Sequence, residues 1–222
     1  MGEPIYAGID FDLPTLTVES EQRVSEYEEQ LQKLEEERLQ KRYEESGVPD
    51  KFFHESFETF KCDSDKEIVV FDTVKQFAEN PKNRVLILCG NNGNGKSHLG
   101  CSVIRVCGGE YITSSMLCLK YDSAIGFKAD ITREQILLHY SKVKMLVIDE
   151  CCKYFLNEQL EKFLLMQVVC MRYENNLPTV LIGNPDKEPF IKFLGRAVYD
   201  RMTEVCSTVE FNWESRRKER RE

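Results

Sequence analysis

The chain has 222 residues, of which 41% are hydrophobic and 31% are charged, and its formal net charge is −8. This length is enough to bury the core of one domain with a small appendage. No apolar run approaches the roughly 18 residues that a bilayer span needs, so the composition predicts no membrane protein. The first 16 residues carry acids and no basic segment, and we therefore expect no signal peptide and a cytoplasmic location.

The negative charge is concentrated at the N-terminal end of the chain. Residues 1–60 contain 16 acidic and 6 basic side chains, whereas residues 61–222 contain 22 and 24. The second part is close to neutral, which allows local contact with nucleic acid but argues against a protein that coats DNA nonspecifically. Nine cysteines are scattered through the sequence without a C-x-x-C pair, so we expect reduced thiols and no zinc site.

Residues 19–45 predict one long helix, because they contain no glycine or proline and are rich in Glu, Gln, Lys, Arg and Leu. The Gly-then-Pro signal in residues 46–49 ends it. We therefore expect residues 1–45 to form an acidic helical arm. Its apolar stripe either packs on the rest of the chain or binds a partner helix, and the pattern leaves both open. The stripe consists of Val24, Tyr27, Leu31, Leu34 and Leu39.

From residue 46 onward, short apolar runs alternate with helical stretches. Nearly continuous apolar runs are typical of strands in a parallel sheet, which is covered on both faces. The pattern predicts an α/β domain over residues 46–213, with a five-stranded, mostly parallel sheet flanked by helices, and a charged flexible tail at 214–222. The predicted strands are 84–89, 109–113, 145–149, 179–183 and 207–211. The predicted helices between the strands are 96–106, 133–139, 158–173 and 189–201.

The loop after the first predicted strand reads GNNGNGKS. Its glycines let successive backbone N–H groups turn towards phosphates, and the helix that follows adds its N-terminal dipole. Lys96 is expected to reach the β- and γ-phosphates, and the Ser97 hydroxyl to bind Mg²⁺. The sequence thus predicts a P-loop ATPase that uses ATP and Mg²⁺. The predicted nucleotide-binding residues are Gly90, Asn91, Asn92, Gly93, Asn94, Gly95, Lys96, Ser97 and His98.

Two acids end the third predicted strand. A buried strand delivers them to its C-terminal tip, where ligands collect in such sheets. Asp149 is expected to hold the Mg²⁺ shell, and Glu150 to orient and deprotonate the attacking water. An Asp-Glu pair favours hydrolysis over a kinase reaction. Asn184 follows the fourth predicted strand and is a candidate for holding the lytic water, with a simple turn before Pro185 as the alternative.

Two arginines near the C-terminus are candidates for an arginine finger that reaches the γ-phosphate of a neighbouring subunit. Arg196 and Arg201 are five residues apart on a predicted helix, so they point in different directions. Solvated or acid-paired arginines are the alternative.

Taken together, these segments resemble the DnaC/DnaI-type replicative helicase loaders, which are AAA+ ATPases of the IstB-like ATP-binding superfamily. The resemblance covers roughly residues 46–216. Its last two segments are more specific than the P-loop alone. The matching segments are SGVP at 46–49, FETF at 57–60, GNNGNGKSHLG at 90–100, LVIDE at 146–150, MRYENNLPTVLIGN at 171–184, LGRAVYDRM at 194–202 and FNWESR at 211–216.

The resemblance implies roles for these residues. The P-loop is Walker A, Asp149 and Glu150 form Walker B, Asn184 is sensor 1, and Arg201 rather than Arg196 is the finger. Loaders of this type use ATP to organise a spiral of subunits on single-stranded DNA, and their N-terminal region holds a hexameric DnaB-type helicase. The implied function is an ATP-dependent loader that docks such a helicase through its arm.

The resemblance also implies contact with single-stranded DNA through roughly residues 114–144. Ordinary surface lysines and core aromatics are the alternative reading of the segment. Few residues follow the fifth predicted strand, so we expect the AAA+ lid to be absent or minimal and ATP turnover to be slow in isolation. The candidate DNA-binding side chains are Lys120, Tyr121, Phe127, Lys128, Lys142 and Lys144.

An IstB-like transposition helper, which acts on duplex DNA, shares the same ATPase core and is the alternative function. The FNWESR ending and the acidic arm favour the loader, because an acidic arm suits a protein partner better than duplex DNA.

Overall fold

The structure, a computed structural model, describes residues 18–81, 84–125, 131–153, 157–195, 198–200 and 203–216. No helix in these ranges is long and apolar enough to cross a membrane. The helices are α1 (Val18–Glu44), α2 (Asp65–Glu79), α3 (Lys96–Cys107), α4 (Ser114–Ser123), α5 (Arg133–Lys142), α6 (Glu158–Glu174) and α7 (Lys187–Leu194). The strands are β1 (Val85–Gly90), β2 (Glu110–Thr113), β3 (Leu146–Cys151), β4 (Thr179–Gly183) and β5 (Cys206–Phe211).

The chain divides into two units, Met1–Gln40 and Lys41–Glu222. The first unit contains most of α1, which confirms the predicted long helix. Four members of its predicted apolar stripe are exposed, and the exposed fractions lie between 45% and 64%. These four side chains are Tyr27, Leu31, Leu34 and Leu39.

The second unit is built on a five-stranded sheet in the order β2-β3-β4-β1-β5. Every pairing between these strands is parallel, which confirms the predicted α/β class. Alternate residues of β1 enter different cores: Val85 and Ile87 lie on one face, and Leu86 and Leu88 lie on the other. A parallel sheet covered on both faces explains why its strands read as continuous apolar runs.

Two helices were not predicted from the sequence. Helix α2 begins at an N-cap, where the Ser64 hydroxyl accepts a hydrogen bond from the Glu67 N–H at 3.4 Å. Its buried Val74 and Phe77 pack into the same core as Leu86. Helix α4 follows β2 without a loop and is capped by Thr113. The buried residues Val70, Val74 and Phe77 of α2 recur at helical spacing, so the sequence carried a signal for this helix, whereas α4 lacks clear apolar periodicity and begins at its cap.

Helix α7 is shorter than predicted, so the expectation of one helix over residues 189–201 is wrong beyond Leu194. Gly195 has φ of +90° and ends the helix, while its N–H still bonds to the Ile191 carbonyl at 3.0 Å. A separate helical turn occupies residues 198–200. Arg196 and Arg201, the two finger candidates, lie outside the described residues.

The segment after α1 covers the edge strand β2. The Tyr111 N–H donates to the Ser46 carbonyl at 2.7 Å, which occupies a backbone group of the edge. Gly47 has φ of +80°, and a Cβ at this position would lie 2.6 Å from the Tyr111 carbonyl oxygen. The close approach therefore requires glycine at the Gly-Pro stop signal that the sequence showed.

Candidate nucleotide-binding site

The predicted phosphate loop joins β1 to α3 at the C-terminal edge of the sheet. In the strand order, β1 is next to β4, which is next to β3. The carboxyl ends of these three strands therefore meet at one edge, where parallel sheets bind ligands. They carry the P-loop, Asn184 and the acids Asp149 and Glu150, respectively.

Asn94 fixes the P-loop to the C-terminal part of the domain. Its side chain is fully buried, and Nδ2 donates to the carbonyls of Phe211 at 3.1 Å and Trp213 at 2.5 Å. The carbonyl of Gly93 accepts a bond from the Arg216 N–H at 3.1 Å. The Asn94 amide thus faces the protein, and any contact between this residue and a phosphate falls to its backbone.

Lys96 and Ser97 begin α3 and face a cleft of about 570 Å³. Lys96 is only 5% exposed, and its ammonium group donates to the Gly90 carbonyl at 2.8 Å and to the Asn91 carbonyl. A buried ammonium at the base of an N-terminal helix turn is a strong anion site. The P-loop carbonyls hold this group in place at the cleft floor.

Asp149 is 4% exposed and accepts two hydrogen bonds within the protein. Tyr111 Oη donates to Oδ2, and the Glu150 N–H donates to Oδ1 at 2.5 Å. Burial, and then the charge of Asp149, raise the pKa of Tyr111 well above its ordinary value, so the phenol remains a donor. Sequence reasoning missed Tyr111, which contacts the acid predicted to hold Mg²⁺. Its position on β2, which pairs with β3, was the available signal.

Glu150 lies near the end of β3 at an irregularity, where the pairing register with β4 shifts between Ile148 and Cys151. Glu150 and Cys152 have φ of 61° and 65°, a region that non-glycine residues seldom adopt. The Glu150 carboxylate lies in the cleft and pairs with Lys153, whose Nζ is 2.6 Å from Oε1. Asn184 lines the same cleft from the end of β4.

His98 lines the cleft as well, but protein groups surround its ring. Nδ1 lies 2.6 Å from the Glu55 carboxylate, and Nε2 lies 2.7 Å from the Ser56 carbonyl. The ring also meets Phe60 edge-on, with 5.1 Å between the centroids. His98 therefore ties the segment after α1 to the first turn of α3. Its predicted contact with nucleotide stays a prediction.

Arg216 reaches the cleft from the segment predicted to be a flexible tail. Its guanidinium group lies 4.8 Å from the centroid of the Phe60 ring and pairs with Glu67 and, at 3.5 Å, with Asp63. The FNWESR segment carried the only sequence signal for this position. Arg216 is one of four basic side chains that line the cleft, with Lys61, Lys96 and Lys153.

The residues present fit a nucleoside triphosphate with Mg²⁺. Ser97 and Asp149 offer the oxygen ligands that Mg²⁺ prefers, and Mg²⁺ in such sites keeps several waters and phosphate ligands. Within the described ranges, no group of three or more His, Cys, Asp or Glu side chains is arranged to hold a metal by itself.

The candidate DNA-binding side chains that the structure describes lie on several elements. Lys120 and Tyr121 lie on α4, where Lys120 donates to the Tyr140 hydroxyl at 3.0 Å. Lys142 and Lys144 are exposed near the start of β3, at the opposite edge of the sheet from the P-loop. Phe127 and Lys128 lie outside the described residues.

A family model described as IstB-like ATP binding protein matches residues 16–222. The chain belongs to this family. Family membership and the fold together identify it as a P-loop NTPase with an ATP-binding domain.

Curated proteins that match this chain include replicative helicase loaders. The replicative helicase loader DnaC of Escherichia coli (strain K12) is 27% identical over 187 residues, which cover 81% of this chain and 76% of that protein. The DnaC of Buchnera aphidicola subsp. Schizaphis graminum is 28% identical over 185 residues, covering 78% and 73%. The resemblance to DnaC-type loaders is thereby confirmed.

Solved structures agree on the fold. The crystal structure of the DnaC helicase loader matches with a TM-score of 0.62 and 16% identity, over 74% of this chain and 100% of that chain. DnaI matches with 0.59 and 16%, over 76% and 94%. The replication initiator DnaA, bound to AMPPCP and single-stranded DNA, matches with 0.60 and 15%, over 75% and 51%. The IstB-like chain therefore has the AAA+ fold of these proteins.

Proposed function

We propose that this chain is an ATP-dependent loader of a hexameric DnaB-type replicative helicase, which it helps to place on single-stranded DNA. The observation that carries the proposal is the convergence of Lys96, Asp149, Glu150 and Asn184 on one cleft, in a chain whose curated relatives are replicative helicase loaders. In this proposal the ATPase serves to organise the subunits rather than to supply a reaction product.

The proposed chemistry is hydrolysis of ATP. Lys96 binds the β- and γ-phosphates, Ser97 and Asp149 hold the Mg²⁺ shell, and Tyr111 keeps the Asp149 carboxylate oriented. Glu150 takes a proton from the attacking water, which Asn184 positions against the γ-phosphate. Arg201 of a neighbouring subunit is the proposed finger, so turnover by an isolated subunit is slow.

We assign a different proposed partner to each of two parts of the chain. The exposed apolar stripe and acidic character of the arm, residues 1–45, provide the helicase-docking surface. Residues 114–144 contact single-stranded DNA while subunits self-associate into an ATP-dependent spiral. The DnaC relatives support this assignment over a transposition helper that acts on duplex DNA.

A loading assay tests the proposal. Fluorescent hexameric helicase from the same source is mixed with a circular single strand, ATP and this protein, and helicase bound to DNA is measured after gel filtration. We expect loading on the circle that depends on this protein and ATP, and none with Lys96→Ala. ATP-dependent filaments on duplex DNA without any helicase loading would contradict the loader and favour the transposition helper.

A further inference from the structure

The turn after β3 brings a lysine against the second Walker B acid. Lys153 Nζ lies 2.6 Å from Oε1 of Glu150, and both side chains line the cleft that contains Lys96 and Asp149. The two side chains are 41% and 40% exposed, so solvent screens the pair and it contributes little to stability. Lys153 can therefore leave this pair for a partner that binds it more strongly.

The position of this pair matters because Glu150 needs a free carboxylate oxygen to act as a base. In hydrolysis the carboxylate accepts a proton from water while the water oxygen bonds to the γ-phosphorus. The bond from the γ-phosphorus to the β–γ bridging oxygen then breaks, which yields ADP and inorganic phosphate. An ammonium group at 2.6 Å occupies one of the two oxygens that could accept the proton.

Both side chains line the cleft, and the backbone at this point is left-handed at two positions. Glu150 and Cys152 both have φ near +60°, at 61° and 65°, and the β3–β4 register shifts just before the turn. Left-handed backbone at two non-glycine residues costs free energy, and such strain is concentrated at functional sites. Neither the P-loop pattern nor the family resemblance assigned a role to Lys153.

We propose that Lys153 binds the γ-phosphate of ATP and that this exchange releases Glu150 for catalysis. The inference rests on the proposed binding of ATP in this cleft. A terminal phosphate presents several charged oxygens and forms stronger, charge-assisted bonds to an ammonium group than a screened carboxylate does. ADP has no γ-phosphate, so it leaves the Lys153–Glu150 pair closed. Lys153 is thereby a residue that distinguishes ATP from ADP.

Equilibrium binding tests the proposal without any turnover. The nonhydrolysable analogue AMPPNP and ADP, each with Mg²⁺, are titrated into the full-length protein and into Lys153→Met, which keeps the side-chain length and removes the charge. We expect about tenfold weaker AMPPNP binding from the loss of one charged hydrogen bond, and unchanged ADP binding. Lys153→Arg retains the preference for AMPPNP. The control Lys192→Met, on the exposed side of α7, changes neither affinity.

A double-mutant cycle with Glu150→Gln tests the exchange itself. Removing the carboxylate frees Lys153, so the loss of AMPPNP affinity caused by Lys153→Met is larger in the Glu150→Gln background than in the wild type. Equal losses in both backgrounds, equal weakening of AMPPNP and ADP, or no weakening of either overturns the proposal while leaving the ATPase intact. A wild-type protein that binds neither nucleotide would instead overturn the proposed function along with it.

Discussion

The side-chain amide of Asn94 donates to the carbonyl of Phe211, 3.1 Å away, and so links the P-loop to the last strand of the sheet. The same amide reaches the Trp213 carbonyl beyond that strand. The loop that is expected to hold phosphates is therefore anchored to the C-terminal FNWESR segment. Changes in that segment are expected to alter nucleotide binding although they lie more than 100 positions away in the sequence.

Asn94→Ala removes both bonds, so the Trp213 carbonyl loses this donor, whereas the Phe211 carbonyl still accepts from the Asn91 N–H at 3.1 Å. We expect a loss of about 1–3 kcal/mol in the free energy of unfolding, which urea denaturation measures. Nucleotide affinity falls as well, because the loop loses its anchor. Asn91→Ala, an exposed change in the same loop, is the matched control for the stability measurement. An Asn94→Ala protein as stable as the wild type would contradict the anchoring role.

The sequence predicted some residues of this site and missed others, and the reasons are physical. The five strands could be predicted because burial on both faces leaves nearly continuous apolar runs, as in Leu86 and its neighbours. Lys96 and Asp149 could be placed because their motifs impose fixed spacing on the loop and the strand end. Tyr111 and Arg216 could not, since each meets its partner through tertiary contacts that no local pattern encodes. The predicted range of helix α7 was too long at its C-terminal end, because the apolar pattern continues past Gly195. The backbone conformation of Gly195 ends the helix.

Tyr111→Phe removes the hydroxyl that orients Asp149 and preserves the ring. We expect a loss of about 0.5–1.5 kcal/mol in stability, typical of one hydrogen bond. A higher Mg²⁺ concentration is then needed for half-maximal nucleotide binding, because the carboxylate is no longer held. Titration of Mg²⁺ at fixed AMPPNP, followed by fluorescence, measures this shift. An unchanged Mg²⁺ midpoint would show that Tyr111 does not position Asp149.

Alkaline pH provides a second test of the same residue. The raised pKa of buried Tyr111 means that the unfolded chain loses this proton above its ordinary value of 10.0, while the folded protein keeps it. The stability that the protonated phenol contributes is full below that pH and is lost as the pH rises further. We therefore expect the free energy of unfolding to fall less in Tyr111→Phe than in the wild type between about pH 9 and pH 11, a range that spans the ordinary pKa of tyrosine. Urea denaturation at the two pH values measures this difference. Equal losses in the two proteins would contradict the assignment.

Arg216 is expected to couple energetically to Glu67, although the sequence placed it in a flexible tail. Glu67 is 5% exposed, so removing its cation leaves a poorly solvated charge. In a double-mutant cycle of Arg216→Gln and Glu67→Gln, we expect a coupling free energy of about 0.5–3 kcal/mol from thermal or urea unfolding. Strict additivity would show that the pair contributes nothing and that the segment is not fixed at the cleft.

Lys96→Ala removes the ammonium group at the base of the cleft. We expect ATP affinity to fall by at least about a hundredfold, because the phosphates lose a buried, charge-assisted donor. Isothermal titration with AMPPNP measures the change, and circular dichroism checks that the fold is intact. An affinity equal to that of the wild type would mean that this cleft is not the nucleotide site.

Docking of a helicase through the arm is the central claim, and its surface can be tested without touching the ATPase. Tyr43 is buried in the second unit, so a deletion should stop at residue 40 rather than at residue 45. The sharper change is Leu31→Glu with Leu34→Glu, which places two negative charges in the exposed stripe. Lys33→Glu on the other side of α1 changes the net charge by the same two units and is the matched control.

The decisive measurement is size-exclusion chromatography with light scattering of this protein mixed with the hexameric replicative helicase of its own source. We predict a stable large complex that survives Lys33→Glu and disappears with the Leu31→Glu, Leu34→Glu variant and with deletion of residues 1–40. A complex that persists in both altered arms would contradict arm docking, and no complex with the wild-type protein would contradict the loader itself.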